Sequence, residues 1–195
     1  MRLLAIILLS LCCTVAFSQK KKKKEVNEDE YPLGAKTVLG KPVDSILVLH
    51  YLKPAAKDLY ESKRRLKPDA ETFEVMNLAS GGDAETRPLY IHLLMYANWE
   101  ATEGALADSL GKYNIKLMER FPKDVLRYFK KAETDKRYEA AQKAFQYNIG
   151  FELNSQADPA ESYDAFVEKV IKTYKSKDTD LIDSFLKSIK KQMKN

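Results

Sequence analysis

The chain has 195 residues, 45% of them hydrophobic and 31% charged, with a formal charge of +5 and two cysteines. A chain of this length can bury a core of its own. The basic excess is local: with Arg2 and Lys20–Lys24 set aside, 27 basic residues face 28 acidic ones, so the net charge gives no argument for general attraction of the folded body to polyanions.

Residues 1–18 read as a secretory signal. Arg2 supplies positive charge, Leu3–Phe17 is almost wholly apolar, and Ala16 and Ser18 place small residues where a signal peptidase reads. A membrane anchor is the competing reading, but the stretch is shorter than the roughly 20 residues that a spanning helix needs. Cleavage before Gln19 removes both cysteines, and disulfides, thiolate zinc sites and cysteine nucleophiles go with them. The expected location is periplasmic or secreted, with a lipid anchor through Cys12 or Cys13 as the alternative. Lys20–Lys24, followed by Glu25, Glu28, Asp29 and Glu30, opens a segment of low apolar content. Residues 19–40 are therefore expected to form a mobile charged leader, and residues 41–195 one all-α domain.

Helical signals follow in order. Pro42 opens a helix expected to run through Leu52, Pro54 a second to about Arg65, and Pro68 a third that stops at Ser80-Gly81-Gly82. Arg87–Trp99 is apolar nearly all round and reads as the central core helix. Leu106, Leu110, Tyr113, Leu117 and Phe121 keep a three-four rhythm, which Val125, Leu126 and Phe129 continue after Pro122. Tyr138, Ala141, Phe145 and Ile149 line the next helix, with Gly150 as its expected stop. Asp158-Pro159-Ala160-Glu161 is a capping box, followed by an apolar face of Tyr163, Phe166, Val167, Val170, Ile171 and Tyr174. Asp178 or Thr179 caps a last helix whose inward residues are Leu181, Ile182, Phe185, Leu186, Ile189 and Met193. Its cations Lys187, Lys190, Lys191 and Lys194 suit a helix C-terminus. The sum is a single irregular bundle of about eight short helices. The alternative is a solenoid of helical hairpins, suggested by small and aromatic residues around Tyr138–Tyr147 but lacking a constant period.

Candidate chemistry is sparse. His50 and His92 lie in similar apolar settings and are weak candidates for a metal site, without a recognisable ligand spacing. The bland reading is a buried histidine satisfied by a tyrosine or a backbone carbonyl. Glu100 and Glu103 beside Trp99 are weak catalytic candidates, since a carboxyl against an indole can serve as a general acid in glycoside hydrolysis. Their bland reading places both in the first turn of a helix capped by Asn98. Lys112, Lys116, Arg120, Lys123, Arg127 and Lys130 would form a cationic stripe on a continuous helix and are the anion-binding candidates. Asp108, Glu119 and Glu133, each four residues ahead of a cation, read the same stripe as a solvated face. No nucleophile elbow or phosphate loop is present, and no cofactor is implied.

These features point to an exported, non-enzymatic helical domain that binds a protein of the envelope or extracellular space. A rival is a binder of anionic glycan, lipid or nucleic acid through Lys20, Lys21, Lys22, Lys23 and Lys24 and the stripe. A helical glycan hydrolase stands third.

Overall fold

The computed structural model describes residues 31–176 and 179–193. The signal, Cys12, Cys13, Lys20–Lys24, Asp178 and Lys194 lie outside them. Among the described residues the fold is all-α, with one small hairpin. The hairpin pairs β1 (Thr37–Val38) with β2 (Lys41–Pro42), antiparallel, in the register Thr37 to Pro42 and Val38 to Lys41. Its two-residue turn places Leu39 at φ 51° and Gly40 at φ 82°, the left-handed pair that a tight hairpin requires.

Nine α-helices follow among the described residues: α1 (Val43–Leu47), α2 (Pro54–Tyr60), α3 (Ala70–Gly81), α4 (Arg87–Glu100), α5 (Gly104–Arg120), α6 (Pro122–Phe129), α7 (Lys136–Asn154), α8 (Pro159–Tyr174) and α9 (Asp180–Gln192). Prolines occupy the first turn of α2, α4, α6 and α8, where a missing N–H costs nothing. Asp69, Asp135 and Asp158 cap α3, α7 and α8 by accepting the backbone N–H of Thr72, Arg137 and Glu161, each cap contributing about 1 kcal/mol.

The core is organised around α4 and α7. Leu89 to Met95, Ala97 and Asn98 of α4 are all buried, so this helix has almost no solvent face. α3 and α7 cover it, while α5, α8, α9 and the 3-10 turn Lys130–Glu133 pack around α7. Contacts between elements this far apart in sequence make a bundle, not a solenoid, in which each unit touches only its neighbours. Two glycines permit the closest approaches. A Cβ on Gly111 of α5 would stand 2.5 Å from the Asn148 carbonyl oxygen, and one on Gly150 of α7 would stand 2.9 Å from Gln192 Cβ. Gly150 is therefore interior to α7 and does not stop it: a bare backbone is needed there for α9 to dock.

Other expectations move for identifiable reasons. Residues 31–40, expected to belong to the leader, pack against the core through Tyr31 and Val38. Tyr31 is only 3% exposed, its ring lying 5.5 to 6.1 Å from those of His92, Tyr96, Trp99 and Tyr138. Helix α1 ends at Leu47 rather than Leu52, and Val48 stands 80% exposed, because one turn suffices to bury Val43 and Ile46. Leu181 is 51% exposed and Ile171 also faces solvent, since α8 and α9 meet the bundle along narrower stripes than their apolar content offers. Thr179 precedes α9 without a side-chain capping bond. No helix among the described residues is long and apolar enough to cross a membrane.

Candidate functional site

The two histidines part company. His92 is completely buried on α4, whereas His50 is exposed on the loop after α1, its ring edge-on to Tyr51. They build no shared site, because the exposed loop carries His50 away from the core. His92 Nε2 donates to the Leu33 carbonyl at 2.9 Å, and Nδ1 accepts from the Tyr128 hydroxyl at 2.7 Å, which is itself bonded to the Tyr31 hydroxyl. Every polar atom of the imidazole is thus used by its neutral form. Burial, reinforced by the charge of Lys131, pushes the His92 pKa down to about 4. Burial likewise raises the Tyr31 and Tyr128 hydroxyls well above the ordinary tyrosine value. This network fastens residues 31–33 to the core. Among the described residues, no group of three or more His, Cys, Asp or Glu side chains could hold a metal ion.

The carboxyl pair also separates. Glu100 is the last residue of α4 and Glu103 precedes the first residue of α5. Between them Ala101 is extended, and Gly104 takes φ 79°, so they share no helical face. Asn98 caps nothing: it lies inside α4, donating to the Leu94 carbonyl four residues back at 2.8 Å.

The cationic candidates all remain exposed but do not lie on one helix. Phe121, at φ −137° and ψ 50°, ends α5 and Pro122 starts α6. Lys112 lies over the Phe73 and Tyr113 rings, Lys123 reaches the Lys175 carbonyl at 3.5 Å, and Arg127 pairs with Asp124 at 3.1 Å. Glu119 pairs with Lys169 of α8 at 3.1 Å. A second basic run, Lys63-Arg64-Arg65-Leu66-Lys67, borders a depression with Asp58 and Asp69. Two of its four charges are paired, Lys63 with Glu61 and Arg64 with Asp69 and Glu71.

What the fold does assemble is a cleft of about 370 Å³ where the end of α4, the α4–α5 junction, α5 and α7 converge. From α7 come Ala144, Tyr147, Asn148 and Phe151, spaced i, i+3, i+4 and i+7 and therefore on one helical face. Tyr147 and Phe151 are 51% and 54% exposed, and their rings stack at 6.3 Å. Trp99 forms another wall while packing against Tyr31 in the core. The strap at residues 31–33 thereby supports the cleft.

Asparagines form the floor. Asn98 and Asn114 make a reciprocal amide pair at 3.0 and 2.6 Å, and Asn148 Nδ2 donates to Asn98 Oδ1 at 2.9 Å. Asn114 also donates to the Phe145 carbonyl at 3.4 Å. Both Asn98 and Asn114 are buried, a placement that is stable only because their amides satisfy one another. The triad ties α4, α5 and α7 together below the cleft. Glu103 and Asp108 supply carboxylates to the lining; among the described residues neither has an ion-pair partner. A second groove of about 480 Å³, lined by Lys143, Gln146, Ser188, Lys191 and Gln192, shares Ala144 and Tyr147 with the first.

Of the weak catalytic candidates, only Glu103 borders this cleft. The sequence pattern does not single out Tyr147 and Phe151, because the buried stripe of α7, Tyr138, Ala141, Phe145 and Ile149, accounts for the helix by itself. The available signal was a second apolar stripe on the same helix, more than a helix with one buried face requires. Comparison with protein-family models, with curated proteins and with solved structures finds no match.

Proposed function

We propose that the protein is an exported, non-enzymatic helical domain that binds another envelope or extracellular protein through the aromatic cleft on α7. The observation that carries the reading is the stacked pair Tyr147 and Phe151, two large aromatic side chains about half exposed on a helix whose opposite face fills the core. Aromatic residues are the preferred anchors of protein interfaces, and leaving two of them in water beside a cleft lacks a folding rationale. The joined grooves on either side of Tyr147 suit an extended or helical segment rather than a compact metabolite. The enzyme reading is weaker because Glu100 and Glu103 are split by a helix junction, and the cleft's two carboxylates face solvent without a positioned base or nucleophile beside them.

The test is a quantitative pull-down from the native envelope fraction with the wild-type chain and with a Tyr147→Ala/Phe151→Ala double variant. These exposed substitutions leave the circular dichroism spectrum and melting temperature nearly unchanged, and they remove the captured partner. Equal capture by both chains refutes the reading. Hydrolysis of peptidoglycan by the wild-type chain, abolished by Glu103→Gln, refutes it in favour of the glycan hydrolase.

A further inference from the structure

The geometry points to a cationic ligand: the cleft receives a lysine or arginine side chain of an extended peptide segment, its charge between Glu103 and Asp108 and its stem against Trp99, Tyr147 and Phe151. The inference rests on the protein-binding reading and names the chemistry that the same cleft selects. Three observations carry it. The first is electrostatic. Both charged side chains lining the cleft are carboxylates, and neither finds a cation among the described residues, although lysines are plentiful elsewhere on the surface. A ligand cation completes two charges that the fold leaves open.

The second is the set of aromatic walls. Trp99, Tyr147 and Phe151 line the cleft; aromatic rings attract a cation through their negative quadrupole and supply apolar area for the methylene stem that carries it. An acidic ligand side chain would meet repulsion from both the carboxylates and the ring faces.

The third concerns the amide at the floor. Asn148 uses one N–H on Asn98, while its Oδ1 and second N–H have no partner among the described residues. A side-chain amide presents one acceptor and one donor in the arrangement of a peptide unit, so it can pair with the backbone N–H and C=O of an extended segment. The side chain entering the cleft then gives specificity, and the backbone pairing gives register. Across Tyr147, Lys191 of the adjoining groove also has no partner among the described residues. An acidic residue on the ligand is therefore favoured on that side and excluded from the first.

The experiment uses the chain in solution and fluorescein-labelled heptapeptides, Gly-Ala-Phe-Lys-Ala-Phe-Gly and its analogues with glutamate or norleucine in place of lysine, read by fluorescence anisotropy. The lysine peptide should bind at least tenfold more tightly than either analogue. Glu103→Gln/Asp108→Asn, which keeps side-chain shape, should erase that preference while weak binding of the norleucine peptide persists. Tyr147→Ala should weaken all three. Equal affinities for the lysine and glutamate peptides, or a preference that survives the amide variant, overturn the inference. If Tyr147→Ala still weakens binding in that event, the docking reading survives alone. Binding indifferent to Tyr147→Ala, or absent for every peptide at millimolar concentration, overturns both.

Discussion

Lowering the pH from 7 to 5 should weaken this fold chiefly through His92. Its imidazole is neutral in the native state because it is buried and both nitrogens are used by Leu33 and Tyr128. Protonation would oblige Nδ1, now an acceptor, to donate toward the Tyr128 hydroxyl that already donates to it. With the pKa pushed from the ordinary 6.5 down to about 4, the unfolded chain takes up a proton between these values and the native chain does not. The contribution of this group is complete above pH 6.5 and is lost as the pH falls toward 4. At about 1.36 kcal/mol per pH unit, stability drops by about 2 kcal/mol between pH 7 and pH 5, and by about 3 kcal/mol at pH 4. The comparison is with His92→Gln, which keeps one donor and one acceptor but does not titrate in this range. Its amide should cost about 1 to 2 kcal/mol at pH 7 through imperfect geometry. Urea denaturation of both chains from pH 7 to pH 5 cancels the carboxylates that they share. The midpoint of the wild-type chain should approach that of the variant by roughly 1 M urea over this interval, taking a slope of about 2 kcal/mol per molar. Parallel profiles for the two chains, or a folded-state imidazole that titrates near 6.5 by NMR, would refute the reasoning.

Four more substitutions probe how the site is held. Tyr31→Ala should destabilise the protein by about 3 kcal/mol, the usual effect of deleting a buried aromatic ring, whereas a residue in a mobile leader would shift thermal unfolding by less than about 0.5 kcal/mol. Gly111→Ala drives a methyl group into the Asn148 carbonyl; overpacking of this kind costs about 3 kcal/mol, seen by calorimetry as a fall of roughly 10 °C in melting temperature. Asn98→Leu and Asn114→Leu should each cost about 2 to 3 kcal/mol, because each strands the polar partner left behind. The double variant should cost clearly less than their sum, giving a coupling of about 1 to 2 kcal/mol in a denaturation cycle. Additive losses would mean that the amides do not act as a unit.

The sequence by itself determined the all-α class and the places where helices begin. Pro54, Pro122, Pro159 and the Asp158 cap act on their own backbone within one turn, so their effect is local and legible. The same holds for α4, whose apolar residues on every side leave it no position except the centre. Only the tertiary structure could decide which apolar stripe stays in water, because burial depends on what docks against it. Ile171, Leu181, Tyr147 and Phe151 have the hydrophobicity of core residues and are left outside by the limited width of each helix contact. Gly150 carries the signature of a helix stop, yet it lies inside α7 because α9 approaches there. Tyr31 sits in polar, charged sequence, and its burial follows from a cavity built by His92, Trp99, Tyr128 and Tyr138, residues 61 to 107 positions away. The cleft has the same origin: Tyr147 and Phe151 share a face of α7, but Trp99, Glu103 and Asp108 join them in one surface only when α4, α5 and α7 are tied together through their asparagines.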